Sequence, residues 1–95
     1  MTKNQQTIKE AIQELLKVYR LEGRLNEVKL ISSWEKVMGK MIANHTNGIF
    51  ISKKKLFIKL DSAALRAELF YAKEKIMKML NDEVGELVIE EVIFQ

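Results

Sequence analysis

Apolar residues recur every three or four positions across residues 6–20, at Ile8, Ile12, Leu15, Leu16 and Tyr19. That spacing lines one face of a helix. The charged stretch LEGRLN follows, with Gly23 as a break and Asn26 placed to cap a second helix. The second helix is predicted from about residue 27 to 44. Leu30, Ile31, Trp34, Val37, Met38, Met41 and Ile42 give it a wide apolar stripe, so it is expected to be the most buried helix. Gly39 lies inside it. A helical glycine costs about 1 kcal/mol relative to alanine, which points to close approach by a neighbouring backbone. Asn44, Asn47 and Gly48 then stop the helix.

The period changes to two after Gly48. Ile49, Ile51, Leu56, Ile58 and Leu60 alternate with Phe50, Phe57 and Lys59, around the polar run Ser52–Lys55. With Lys53 and Lys54 at the turn, Ile51 opposes Leu56 and Phe50 opposes Phe57. All five aliphatics then share one sheet face, and Phe50, Phe57, Lys55 and Lys59 share the other. The turn lacks the Asn-Gly or glycine residues favoured in two-residue hairpins, so a longer loop is expected. Asp61 or Ser62 caps a third helix reaching about Asn81, with Leu65, Leu69, Ala72, Ile76 and Met79 or Leu80 as its core stripe. Gly85 ends the following turn, and LVIEEVIF makes a last strand. The element order is α-α-β-β-α-β. It predicts one α+β domain over residues 1–95, a three-stranded sheet with helices on one face and a crossover between the second and third strands.

Composition narrows the function. There is no cysteine, which excludes disulfides and thiolate metal sites. No apolar run approaches the length of a membrane span, and the polar start MTKNQQT is not a signal peptide. A cytoplasmic location is expected, with no membrane partner. The single histidine, His45, rules out a histidine metal pair, and the four glycines are scattered rather than gathered in a phosphate loop. Glu90 and Glu91 are adjacent on a strand, so they point to opposite faces and read as edge charges that deter aggregation. No catalytic constellation, metal site, cofactor or small-molecule substrate is expected.

Charge is uneven. The net charge is +3, yet residues 81–95 hold five acids and no Lys or Arg, leaving a net +8 on residues 1–80. Such asymmetry marks either an anionic partner or a solvated lysine-rich surface. Two surfaces are candidates. On the open sheet face, Phe57 beside Lys55 and Lys59, with Lys53 and Lys54 at the turn, suits stacking on unpaired bases with lysines at the phosphates. The alternative is that the first helix or a second copy covers this face. On the third helix, Phe70 and Met77 lie away from the core stripe, with Arg66 and Lys73 on their side. This is an apolar strip with a basic rim, suited to a protein partner or to packing against the first helix. Trp34 is either core or an interface anchor.

Several motifs occur in order: L-I-x-S-W-E-x-V-x-G-x-x-I-A-x-H-T, a hairpin with L-x-I-x-L-D-S, A-L-R-x-E-L, L-N-x-E-x-G, and a terminal V-I-F. Together they resemble the bacterial DciA-like family, linked to replicative helicase loading, with the short Bacteroidetes-type members nearest. The likeness runs from about Ile8 to Phe94, and the block around Trp34 is its specific part. It implies a KH-like domain that binds the replicative DNA helicase and helps place it on single-stranded DNA. Trp34, Gly39, His45 and Thr46 are the signature residues, read as structural. Two departures stand out. Many members carry a tryptophan where this chain has Leu65, and many add a basic extension beyond the domain. Any DNA contact is therefore expected to come from the folded domain itself. No two glycines have the spacing of a KH GxxG loop, so KH-style RNA clamping is not expected. A helicase adaptor, a stand-alone nucleic-acid-binding module and a homodimer through the open sheet face are the three functional expectations.

Overall fold

The computed structural model describes residues 2–18 and 21–95, with side chains from Thr7 onward except Leu16 and Val18. The places expected for Leu16 and Tyr19 on the first helix fall outside the described side chains. Helix α1 (Thr2–Val18) leads to α2 (Leu21–Ser32), α3 (Trp34–Met38) and α4 (Lys40–Asn44). A hairpin follows, β1 (Thr46–Ser52) and β2 (Lys55–Leu60). Then come α5 (Ala63–Tyr71), α6 (Lys73–Val84) and β3 (Glu91–Phe94). The sheet order is β1-β2-β3, with β1 and β2 antiparallel and β2 and β3 parallel. The α+β architecture and the crossover through the third helical region are as the pattern predicts.

The hairpin register follows from alternation. Ile51 faces Leu56 and Phe50 faces Phe57, so the aliphatics turn inward together. Leu56, Ile58 and Leu60 are buried with Leu30, Trp34, Leu65, Leu69, Ile76, Leu80, Val88, Ile89 and Val92 in one core between sheet and helices. The turn differs from the expected longer loop. Lys53 and Lys54 make it alone, with φ of 51° and 62°. This is the φ pattern of a type I′ turn, which matches strand twist but disfavours residues with a Cβ. Replacing Lys53-Lys54 by Asn-Gly is expected to add about 1 kcal/mol of stability and raise Tm by about 4–8 °C. A thermal melt checks it; an unchanged or lower Tm removes the strain argument.

The helices depart more. LEGRLN is no break: Gly23 and Asn26 lie inside α2, so Asn26 caps nothing. The long second helix is instead broken at Ser33 and Gly39. Ser33 turns its hydroxyl back onto the Leu30 carbonyl at 2.7 Å, a local bond that competes with the helical ladder. Gly39 adopts φ 89° and ψ 166° between α3 and α4. That region is essentially restricted to glycine. A Cβ there would meet nothing within 4 Å, so Gly39 is required by conformation and not by a close neighbour. The two breaks redirect the chain. Only Leu30 and Trp34 of this segment are fully buried, and Met41 is exposed.

The third helix is split at Ala72, whose N–H donates to the Leu69 and Phe70 carbonyls. Gly85 ends α6 in the left-handed conformation, as expected. The last strand is shorter than LVIEEVIF, because Val88 and Ile89 form a buried loop docked on Asn81. The described side chains of α1 are exposed, Ile8, Ile12 and Leu15 among them. This helix therefore does not bury its apolar stripe against the sheet.

Candidate functional site

Three of the signature residues, Trp34, His45 and Thr46, make hydrogen bonds around the start of the hairpin. Trp34 is 4% exposed, and its Nε1–H donates to Thr46 Oγ1 at 3.0 Å. Thr46 donates in turn to the Ile42 carbonyl at 2.8 Å, which stitches the end of α4 to α3. His45 closes α4, and its Nδ1 sits 2.6 Å from Asp61 Oδ1 on the surface. The Asp61 N–H donates to the His45 carbonyl at 3.0 Å, so these two residues tie the entry of β1 to the exit of β2. With Trp34 inside the core, its alternative as an exposed anchor does not apply.

The open sheet face places Phe50 and Phe57 in a parallel stack, with ring centroids 4.7 Å apart and planes 7° apart. Phe57 is half-buried, and Phe50 is 52% exposed at the rim. Ile93 is opposite Phe57 in the parallel ladder and continues the apolar row onto β3. The hairpin lysines do not all remain free. Lys54 pairs with Glu90 at 3.7 Å and Lys55 with Glu91 at 3.6 Å, all four side chains being largely exposed. These contacts are weak in water, but they set acids beside the cations. Among the described residues, Lys53 at the turn and Lys59 on the open face form no ion pair. The sequence set Lys53, Lys54, Lys55, Phe57 and Lys59 is thus brought to one hairpin. Phe50 is its most exposed ring.

The helix-three set is divided by the break at Ala72. Arg66, Phe70 and Tyr71 line an open groove of about 340 Å³ with Ala63, Ala67 and Phe94. Phe70 is 53% exposed and Tyr71 88%. Their rings meet edge to face at 5.8 Å, and the Lys73 ammonium lies 4.7 Å above Phe70. Met77 instead packs half-buried against the core, in a smaller groove of about 110 Å³ with Lys73, Glu74, Glu90, Glu91 and Val92. Lys73 joins the two. Sequence periodicity missed Tyr71 because a straight helix does not reveal the kink. It missed Phe94 because its place in the groove depends on strand order.

The fold is a small α+β domain that carries two aromatic-and-basic patches. Among the described residues no group of three or more His, Asp or Glu could hold a metal ion. No helix among them is long and apolar enough to cross a membrane. The family described as "Dna[CI] antecedent, DciA" matches residues 7–94, and the chain belongs to it. It is a non-catalytic, helicase-loader-type adaptor family of DNA replication. A "UPF0232 protein" of Corynebacterium glutamicum (strain R) is 38% identical over 61 residues, 64% of this chain and 34% of that protein. The matched span therefore covers about a third of the relative's length.

Proposed function

We propose that this chain is a cytoplasmic adaptor that binds the replicative DNA helicase and assists its loading on single-stranded DNA. The family match over residues 7–94 carries the reading, because it includes nearly all of the folded domain. The helicase surface is the α5 patch, Phe70 and Tyr71 with Arg66 and Lys73. Large exposed aromatics beside cations are the residue types that anchor protein interfaces. Met77 packs against the core in the neighbouring groove and is left out of this surface. The DNA surface is the hairpin, Lys53, Lys54, Lys55 and Lys59 with Phe57 and Phe50. Two lysines held at positive φ in the turn favour that role, since local strain is retained where a side chain is used. The expected result is co-elution of the chain with the replicative helicase of its own bacterium. A Phe70→Ala/Tyr71→Ala variant should lose that co-elution while keeping its far-UV circular dichroism. Unchanged co-elution would remove α5 from the account.

The stacked Phe50–Phe57 pair favours a second reading, a nucleic-acid-binding module acting alone. Such binding to a single-stranded oligonucleotide should fall steeply with salt, because released counterions drive it. It should weaken on Phe50→Ala and Phe57→Ala. Fluorescence anisotropy showing no binding at about 50 mM salt, where electrostatic binding is strong, leaves the adaptor alone.

A further inference from the structure

We propose that the open sheet face holds a single DNA strand in one fixed place, with a base on the exposed ring of Phe50 and its phosphate at Lys59, while Glu91 keeps the strand away from Lys55. This rests on the hairpin being the DNA surface and narrows that surface to one end of the face. Alternation and register arrange the face as three rows. Ser52, Lys55 and Glu91 form the row beside the turn, and Phe50, Phe57 and Ile93 form the middle row. Gly48 and Lys59 form the last row. Gln95 joins it, because its N–H and carbonyl bond Ile58 and Leu60 on either side of Lys59.

The two end rows differ in charge. Lys55 Nζ lies 3.6 Å from Glu91 Oε2. The ladder itself sets these residues opposite each other, so the acid stays beside the lysine whether or not the pair is closed. A phosphate arriving at Lys55 meets that carboxylate and must displace it. Lys59 is exposed and forms no ion pair among the described residues. Its row carries no acidic side chain. Asp61, two residues further on, is engaged by His45 at 2.6 Å. Gly48 leaves the floor beside Lys59 as open backbone, where a Cβ would sit 3.8 Å from the Lys59 Cβ. The middle row supplies the base contact. Phe50 and Phe57 already stack at 4.7 Å, and Phe50 is 52% exposed. A base laid on Phe50 lengthens a stack that exists before binding, so little side-chain freedom is lost. Same-face rows are about 7 Å apart, which puts the phosphate of that base within reach of the long Lys59 side chain. A ring stack beside an unpaired cation matches the π face and the charge that every nucleotide carries.

Fluorescence anisotropy of the whole chain with a labelled oligothymidine of about ten nucleotides, read between about 50 and 200 mM salt, tests this. Lys59→Gln should weaken binding about five- to tenfold at the low-salt end and make the salt slope shallower by about 0.7, the share of one phosphate contact on a single strand. Lys55→Gln should change affinity by less than about twofold and leave the slope as it is. Glu91→Gln should strengthen binding about threefold or more and steepen the slope by about 0.7, because Lys55 then meets phosphate. Phe50→Ala should weaken binding about tenfold. All four positions are exposed, and an unchanged far-UV circular dichroism spectrum keeps the comparison among folded chains. Equal losses at Lys55 and Lys59, or a Glu91→Gln variant that binds as the parent does, overturn the placement and leave the hairpin as a DNA surface without it. No binding by the parent overturns it together with the hairpin reading. A dimer in sedimentation velocity that is lost on Phe50→Ala also overturns it, in favour of a second copy on this face.

Discussion

Replacing Asn81 by alanine is expected to destabilise the domain by about 3 kcal/mol, from the loss of several buried hydrogen bonds. Asn81 is 7% exposed on α6. Its Nδ2–H donates to the Ile89 carbonyl at 2.9 Å, and its Oδ1 accepts from the Val88 and Ile89 N–H groups at 3.0 and 3.1 Å. Those backbone groups belong to the loop that carries the chain from Gly85 to β3. Val88 and Ile89 are buried, so water does not simply replace the amide. The loop must open to hydrate them, which withdraws two core side chains. Urea unfolding should show the loss as a lower midpoint. Native-state hydrogen exchange should accelerate first at the Val88 and Ile89 amides. An Asn81→Ala variant within about 0.5 kcal/mol of the parent, the range of a neutral surface substitution, would show that the loop stands without this residue.

The second large effect is at Trp34. Trp34→Ala is expected to destabilise by about 4 kcal/mol, combining lost burial with the cavity left behind. Domains of this size are stable by only about 5–14 kcal/mol, so much of the margin disappears. The indole also has a polar task, and a double-mutant cycle separates it from packing. Thr46→Val leaves the buried Nε1–H without its acceptor and is expected to cost about 2 kcal/mol. Trp34→Phe removes the donor and part of the ring, at about 1–2 kcal/mol. The pair together should cost less than the sum by about 1 kcal/mol, because the same hydrogen bond is removed twice. Additive effects in urea unfolding would mean that the 3.0 Å contact contributes packing alone.

These two residues also show what could be read in advance. Trp34 and Thr46 stand in the motif that carries the family resemblance, and a hydrogen bond joins them in the fold. Asn81 stands in L-N-x-E-x-G, yet nothing local says that its amide is spent on residues seven and eight positions later. Its role exists only once the loop folds back on α6. Gly39 is the reverse case. The sequence singles it out as an oddity in a helix, but its positive φ and the resulting break are decided by how α3 and α4 each dock. The break at Ala72 has no proline or glycine to announce it. It still decides that Phe70 and Tyr71 face solvent while Met77 joins the core.

By itself, the sequence determined the α+β class, the hairpin register, the inward face of the sheet and the family. Period-two and helical patterns, like a motif, are local properties that survive whatever the elements do next. Tertiary structure alone decided where the long helices break and which lysines meet acids. It also decided that β3 ends the sheet beside an aromatic groove. Each of these depends on residues far apart in the chain: Lys54 with Glu90, Phe94 with Phe70, Asn81 with Ile89. Their contacts form when elements pack, and packing energy can outweigh the fraction of a kcal/mol by which local propensity prefers an unbroken helix.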